Sequence, residues 1–204
     1  MNYVALFCRK DSAYKDREKW EVYDAARDAK TYKDFYPVVC HPPCRLWGRL
    51  SHMACRDASI TEEQKQAERN LALWSVDKIR RVGGILEHPS GSRIWQALPD
   101  VGDAPDDWGG FTIEIDQYDF GHVAHKKTKL YICGMDAWSI PELPAPDHSI
   151  HLCEKGKRRS ICGNVPGTTR CTQYQREYTP SALIDWFEEA LETIANWEKN
   201  NGHT

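Results

Sequence analysis

The first 47 residues of the chain contain no glycine, and Gly48 is the first one. Residues 3–8 form a continuous apolar run that predicts a buried first strand. A turn that binds phosphate or adenosine after such a strand needs glycine, because the backbone must approach the ligand closely and adopt positive φ angles. Residues 9–14 contain none, which excludes a glycine-rich nucleotide turn at this position.

Long apolar runs and a surplus of basic residues are also missing. No stretch reaches the length of a membrane-spanning helix, and the first residues lack the basic and apolar regions of a signal peptide. These absences predict a cytoplasmic protein with no membrane partner. The formal net charge is −3, so any contact with nucleic acid must come from local basic patches.

Eight cysteines are present, but no two have the Cys-x-x-Cys spacing. In a reducing compartment such cysteines are thiols, metal ligands or nucleophiles rather than disulfides. Two possible zinc sets both lack the ligand spacing of a standard zinc finger, so no metal site is predicted. The first set is Cys40, Cys44, His52 and Cys55, and the second is His151, Cys153, Cys162 and Cys171.

The pattern of apolar residues predicts a single α/β domain over residues 1–204. Thr61 and Gln64 form a capping box ahead of apolar positions at helical spacing, which predicts the start of a long helix. Besides the first strand, we predict strands around 37–40, 84–87, 111–116 and 130–134, and a possible short strand over 21–24. Helices are predicted over 61–81 and 179–199, and an irregular insert over 135–178.

Two prolines separate a predicted strand from Cys44. Val38 and Val39 indicate a strand covered on both faces, and Pro42 and Pro43 end it, because proline fixes φ and has no N–H to donate. Cys44 is then held on a stiff loop at the carboxyl end of a central strand, where open α/β sheets place ligands. A nucleophile and a buried structural thiol are both compatible with this position.

Two acidic residues, Glu87 and Asp24, follow short apolar segments. The apolar neighbours of Glu87 predict partial burial, which would raise the pKa of the carboxyl group and suit it to hold or donate a proton. The alternative is a glutamate that caps the next turn. Asp24 could receive a ribose hydroxyl, or it could face solvent at the start of a helix.

Basic residues form three local clusters. Arg45, Arg49 and His52 form the first cluster and could contact phosphate. The second cluster lies within 125–129, and the third lies within 155–159. Exposed runs of charged residues are usually solvated. The second and third clusters, in an acidic chain, could instead mark the surface that binds the substrate.

Three of these segments, taken in order, resemble the cytosine-C5 methyltransferases that act on DNA. The family has a Pro-Pro-Cys loop that carries its nucleophile, a strand that ends in Glu-Asn-Val, and a basic strand of the form Gln-x-Arg-x-Arg-x-Phe-Ile-x-Gly. The matching segments here are Pro42-Pro43-Cys44, Glu87-His88-Pro89, and the run of His125, Lys127, Lys129, Tyr131, Ile132 and Gly134 that follows Phe120-Gly121. Each motif is weak alone, but three in this order are more specific.

The resemblance implies a Rossmann-like methyltransferase sheet and methyl transfer from S-adenosyl-L-methionine to cytosine in DNA. Cys44 would add to C6 of the base, and Glu87 would hold N3. Lys127 and Lys129 would hold the base or a phosphate in place of the family's arginines, and a duplex substrate would require base flipping. Further candidates are Pro43, Arg45, His88 and His125 for substrate contact, and Asp24 for cofactor contact.

Two parts of the family pattern are absent from this chain. It lacks the Phe-x-Gly-x-Gly loop for the cofactor, and the segment before Pro42 is short, so we expect a sheet that is truncated or rearranged at its N-terminus. Only residues 135–178 could serve as a target-recognition domain, which points to a partner chain for that role. Three alternatives stay open: C5 modification of a nucleotide with another electrophile, a methyltransferase-like protein that binds nucleic acid without turnover, and a zinc-stabilised domain.

Overall fold

The computed structural model describes residues 2–33, 35–48, 51–146 and 172–200, and within them six strands form one mixed sheet. The strands are β1 (Tyr3–Leu6), β2 (Trp20–Val22), β3 (Val38–Cys40), β4 (Gly84–Pro89), β5 (Phe111–Asp116) and β6 (Lys127–Cys133). Their order across the sheet is β2-β1-β3-β4-β6-β5. The first four strands in this order are parallel, whereas β6 is antiparallel to both of its neighbours.

Helices cover both faces of the sheet. The α-helices are α1 (Ser51–Cys55), α2 (Glu62–Val82), α3 (Gln173–Glu177) and α4 (Ser181–Asn200). Side chains alternate between the two faces along a strand, so neighbouring residues of β4 enter different cores. Ile85 lies in the core that contains Phe187 and Ile194 of α4, and Leu86 lies in the core that contains Ile79 of α2.

The predicted α/β class is confirmed, and the six-stranded mixed sheet is consistent with a Rossmann-like arrangement. The capping box is also confirmed. The hydroxyl of Thr61 accepts the N–H of Gln64 at 3.2 Å, and the side chain of Gln64 accepts the N–H of Thr61 at 2.9 Å. Gly83, with a φ of 71°, ends α2, and β4 begins at the next residue.

Some element bounds differ from the predicted ones. β1 ends at Leu6, because Phe7 has a φ of 61° and leaves the β region. α4 begins at Ser181, so Pro180 precedes the helix, and its carbonyl accepts two amides of the first turn. Among the described residues that follow β3, α1 is a helix of a single turn before α2 begins.

Short 3-10 helices make several of the connections. They are Ala13–Asp16, Ala29–Thr31, Arg93–Ala97, Gln117–Phe120 and Ala137–Ser139. In the described part of the predicted insert over 135–178, the last of these and α3 are the regular elements. The basic cluster within 155–159 lies outside the described residues. None of the helices that the structure describes is both long and apolar enough to cross a membrane.

Gly84 allows β4 to begin close to β3, opposite Val38. A Cβ atom at this position would lie 2.1 Å from the carbonyl oxygen of Val38, and its φ of 135° is one that side chains rarely adopt. We expect Gly84→Ala to lower the free energy of unfolding by about 3 kcal/mol or more, because a backbone clash adds to the strain. Urea denaturation measures this change.

Gly102→Ala is the matched control for this variant. Gly102 also has a positive φ, 86°, but no atom lies within 4 Å of an added Cβ. Its substitution should therefore cost only the conformational strain, about 1 kcal/mol. Equal losses in the two variants would contradict the close approach of β3 and β4.

Candidate active site at the carboxyl edge of the sheet

Cys44 and Glu87 lie toward the same edge of the sheet, because Cys44 follows β3 and Glu87 lies in the C-terminal half of β4, the neighbouring parallel strand. Cys40, the last residue of β3, is in register with Leu86, so Glu87 is one residue further along β4. The loop after Cys40 carries the chain to Cys44, whose side chain is exposed. The alternative of a buried structural thiol is therefore wrong. The residue is exposed, although neighbouring groups partly desolvate its sulfur.

Glu87 is a buried carboxylate that three side chains hold. Nδ1 of His41 is 3.1 Å from Oε2, Nε2 of Gln117 donates to Oε1 at 2.8 Å, and Nζ of Lys126 is 3.8 Å from Oε1. The glutamate side chain is 11% exposed, so these groups replace much of the water that a carboxylate requires. Among the described residues, only His41 donates a hydrogen bond to Oε2, so this oxygen can accept a further hydrogen bond from a ligand.

The charge of Glu87 differs from the prediction. Burial by itself would raise the pKa of the carboxyl group, but the Lys126 ammonium and the His41 hydrogen bond outweigh burial and lower it to about 2. The raised pKa predicted from the apolar neighbours in sequence is therefore wrong. Those neighbours indicate burial correctly, but the cation and the donors come from distant segments. Glu87 is ionised at neutral pH and acts as a hydrogen-bond acceptor.

His41 connects Glu87 to a buried tyrosine. The hydroxyl of Tyr14 is 2.9 Å from Nε2 of His41, and burial raises the pKa of Tyr14 well above its usual value. The hydroxyl therefore stays protonated. Because an ionised carboxylate can only accept, Nδ1 of His41 is the donor that faces Glu87. An edge contact with Phe187, with ring centroids 6.1 Å apart, also fixes the imidazole. These contacts with Tyr14 and Phe187 orient His41, the side chain that donates to the carboxylate of Glu87.

The thiol of Cys44 is not activated in the free protein. Desolvation raises its pKa, the negative charge of Glu87 raises it further, and Lys126 acts in the opposite direction. Cys44 is therefore mainly a thiol at neutral pH. A ligand that neutralises Glu87 would remove one obstacle to the thiolate, which is the nucleophilic form.

Lys126, rather than Lys127 or Lys129, reaches Glu87. Side chains alternate along β6, and Thr128 lies on the face of Glu87, in the same hydrogen-bonded group. Lys127 and Lys129 lie on the opposite face of the sheet, because each is an odd number of residues away from Thr128 along the strand. The structure therefore does not bring the two lysines that the family pattern selects to the predicted carboxylate.

The other charged candidates form ion pairs within the chain. Arg45 follows Cys44, but its guanidinium binds α2 instead of projecting freely. These ion pairs would have to open before the side chains could bind a phosphate, and their substrate-binding roles stay predictions. The ion pairs are Arg45 with Glu68 at 2.5 Å, Lys127 with Asp116 at 3.7 Å, and Lys129 with Asp100. Nδ1 of His125 lies at hydrogen-bond distance, 2.8 Å, from Oδ2 of Asp116.

His88 is buried on the opposite face of β4 from Glu87. Its residue is 1% exposed, and neither ring nitrogen forms a hydrogen bond with a described group. Burial lowers the pKa of His88 to about 4, although Glu87 and the backbone of Pro43 oppose this change. The neutral ring makes an edge contact with Trp95, with centroids 6.4 Å apart. His88 therefore packs in the interior, and its predicted contact with substrate stays a prediction.

The ends of β1 and β2 do not form a cradle for S-adenosyl-L-methionine. Phe7 occupies the turn where a glycine would be needed, and its ring packs on Trp74 with centroids 5.8 Å apart. Both carboxylate oxygens of Asp24 are used within the chain: Oδ2 binds Lys15, and Oδ1 accepts two backbone amides at 2.8 and 3.2 Å. The lysine contact and these amides lower the pKa of Asp24. The residues described here do not fit the cofactor in the way the resemblance implies.

The first zinc set does not assemble. In the part of the chain that the structure describes, no three His, Cys, Asp or Glu side chains are grouped as metal ligands. Cys40 is buried in β3, whereas Cys44 is exposed on the loop. The second set, within 151–171, lies outside the described residues.

Four residues of the Glu87 network are absent from the predicted site residues: Tyr14, His41, Gln117 and Lys126. A signal was present for Lys126, because it shares the even numbering of Thr128 and therefore the same face of the strand. His41 directly precedes the two prolines. The sequence carries no comparable signal for Tyr14 or Gln117, which reach the site through tertiary structure.

The lowered pKa of Glu87 makes stability depend on pH. A carboxyl group with a usual pKa of 4.5 and a folded value of about 2 stabilises the fold above pH 4.5, and this contribution is lost as the pH falls toward 2. The difference corresponds to roughly 3 kcal/mol. Glu87→Gln should lack this part of the pH dependence when the free energy of unfolding is measured by urea denaturation between about pH 5 and pH 2.

Glu189→Gln, on the exposed side of α4, is the control for this measurement. It should keep the pH dependence of the wild type. An unchanged slope in Glu87→Gln would show that the carboxylate is not held as described.

The buried His88 produces a second pH effect over a different range. Its pKa falls from the usual 6.5 to about 4 on folding, so its contribution to stability is complete above pH 6.5 and is lost as the pH falls toward 4. The loss is roughly 3 kcal/mol. His88→Phe keeps a ring beside Trp95 and removes the titration. Its free energy of unfolding should fall less than that of the wild type between about pH 6.5 and pH 4.5.

His52→Phe is the matched control, since His52 is exposed on α1. Its pH profile should follow that of the wild type. Parallel profiles for the wild type and His88→Phe would contradict a buried, neutral His88.

Comparisons with known proteins identify no relative of this chain: no protein-family model, no curated protein and no solved structure matches it.

Proposed function

We propose that this protein modifies a pyrimidine base, with C5 of cytosine in DNA as the preferred position, through a covalent adduct between Cys44 and C6. One observation carries the proposal: an exposed cysteine in the loop after β3 and a buried, ionised carboxylate in the C-terminal half of the neighbouring parallel strand β4 lie toward the same edge of the sheet. This pair supplies a nucleophile and a group that binds the ring nitrogen of the same base. The resemblance of the Pro-Pro-Cys and Glu87 segments to cytosine-C5 methyltransferases supports the same assignment.

The adduct forms in one balanced step. The sulfur of Cys44 bonds to C6, the electron pair of the C5=C6 double bond moves through C4 to N3, and the proton of the thiol is transferred to N3. The protonated N3 then donates a hydrogen bond to Oε2 of Glu87, which has a lone pair for it. The resulting enamine makes C5 nucleophilic.

The surroundings of Glu87 suit it to this step. Lys126 and His41 keep the carboxylate ionised, so it attracts the proton that arrives at N3. The thiol and the carboxylate disfavour each other's negative charge, and protonation of the base beside Glu87 removes this repulsion. Binding of a pyrimidine therefore promotes the thiolate at the moment when C6 is in reach.

The group that reacts with C5 is a separate question from the adduct. The family resemblance implies a methyl group from S-adenosyl-L-methionine, but the turn after β1 and the engaged Asp24 do not fit that cofactor. Exchange of the C5 hydrogen with solvent needs the adduct alone, because water supplies and accepts the proton. A free nucleotide is the alternative substrate to a flipped base in DNA.

A second function, binding of nucleic acid without turnover, is favoured by the raised pKa of the Cys44 thiol. In that case the Cys44 loop would recognise or shield a base, and substitution of the thiol would leave binding intact.

Exchange of the C5 hydrogen tests the adduct directly. We expect the wild type, in deuterium oxide, to add one mass unit to cytosine in a single-stranded oligonucleotide or in deoxycytidine monophosphate. Cys44→Ser should slow this exchange by about a hundredfold or more, because an alcohol is a much weaker nucleophile than a thiol near neutral pH. Mass spectrometry of the nucleosides measures the exchange.

Cys55→Ser is the matched control, since Cys55 is another partly exposed thiol and lies outside the Glu87 network. It should exchange at the rate of the wild type. Equal binding by wild type and Cys44→Ser with no exchange in either would replace the enzymatic function with the binding function. Nucleosides from the DNA of cells that express the protein would then show no change of mass at cytosine.

A further inference from the structure

A cavity of about 300 Å³ lies between the C-terminal half of α2 and the segment that leads into β3. None of its lining residues belongs to the Glu87 network. Its volume is at the lower end of the range of small-molecule sites, about 300–1,000 Å³, and it suits a ligand of the size of one nucleotide.

Among the residues that the structure describes, four cations and no carboxylate line this cavity. They are Lys30, Lys33, Lys78 and Arg81. Lys30, Lys33 and Arg81 are exposed, and none of the acidic side chains in the described ranges pairs with them. In a chain of net charge −3, this is a local excess of positive charge that attracts an anion.

Three aromatic rings and Val82 also line the cavity. Phe35 is 83% exposed, which leaves a flat apolar ring in water, and Trp74 and Tyr32 line the same space. The ring of Tyr32 lies 4.6 Å from Nζ of Lys78, a buried cation. Exposed rings beside cations are the combination that binds a stacked base and its phosphate.

We infer that this cavity binds a nucleoside phosphate, with the base stacked on Phe35 and the phosphate between Lys30, Lys33 and Arg81. The ligand is either a free nucleotide or one unit of a single strand, because both present the same base and phosphate. The site goes beyond the proposed function, since it uses neither Cys44 nor Glu87.

Binding of adenine ligands tests this inference without involving the Cys44 site, because adenine is not a pyrimidine. The probe is a fluorescein-labelled oligodeoxyadenylate, measured by fluorescence anisotropy at low salt, with unlabelled deoxyadenosine monophosphate as competitor. The triple variant Lys30→Gln, Lys33→Gln, Arg81→Gln should bind at least about tenfold more weakly than the wild type, since it loses the phosphate contacts.

The matched control is the triple variant Lys10→Gln, Lys19→Gln, Arg56→Gln. It removes the same number of charges from exposed positions elsewhere on the surface, so it corrects for the change in net charge. We expect it to bind the probe within about twofold of the wild type, since distant exposed charges are largely screened.

Phe35→Ala tests the stacking separately. It should weaken binding of the oligodeoxyadenylate about tenfold and leave competition by inorganic pyrophosphate unchanged. Trp138→Ala, at a position that is 84% exposed outside the cavity, is the control and should change neither.

The competition decides the source of the ligand. Displacement by deoxyadenosine monophosphate supports a free nucleotide, and binding of the strand alone, lost in the cavity variant, supports a single strand. Absence of binding by the wild type, or equal affinities of the two triple variants, would overturn the inference. Loss of binding in Cys44→Ser would also overturn it, because it would place the probe at the other site.

Discussion

The buried carboxylate of Glu87 is the constraint on which the candidate site depends. An ionised group in the interior needs partners, because removal of one partner from a buried charge pair costs about 3–5 kcal/mol. Here the partners come from three separate segments: His41 after β3, Gln117 after β5, and Lys126 before β6. Correct packing of all three is therefore a condition for the charge of Glu87, and the charge in turn fixes the geometry of the edge where Cys44 lies.

The strand order explains how these segments meet. β4 and β5 both run antiparallel to β6, so they are parallel to each other and end at the same edge of the sheet. The antiparallel β6 lies between them and begins at that edge. The end of β5 and the start of β6 consequently bring Gln117 and Lys126 to the carboxyl end of β4. A fully parallel sheet would have placed the start of β6 at the opposite edge.

Much of the fold could be predicted from local patterns. The capping box at Thr61 and the apolar spacing after it determine α2, and short apolar runs that end in proline mark β3 and β4. The same patterns placed Cys44 and Glu87 at strand ends. The apolar residues around Glu87 also predicted its burial, which the structure confirms.

The charges and partners of the site could not be predicted in the same way. The pKa of Glu87 depends on Lys126 and His41, which are distant in sequence, and the register of β6 decides which lysines face it. The family pattern selects Lys127 and Lys129, whereas alternation along the strand selects Lys126. The positive φ of Phe7 in the turn after β1, and the contact of its ring with Trp74, have no signal in the sequence. The absence of glycine there did exclude the usual nucleotide turn.

The most direct test of the account is capture of the Cys44 adduct. A pyrimidine nucleotide whose base lacks the 4-amino group is more electrophilic at C6 and should remain attached to the thiol. After incubation with it, peptide mass spectrometry of the wild type should find the nucleotide mass on the peptide that contains Cys44, and Glu87→Gln should reduce its yield. An unmodified Cys44 peptide, or attachment at another cysteine instead, would contradict the assignment of Cys44 as the nucleophile.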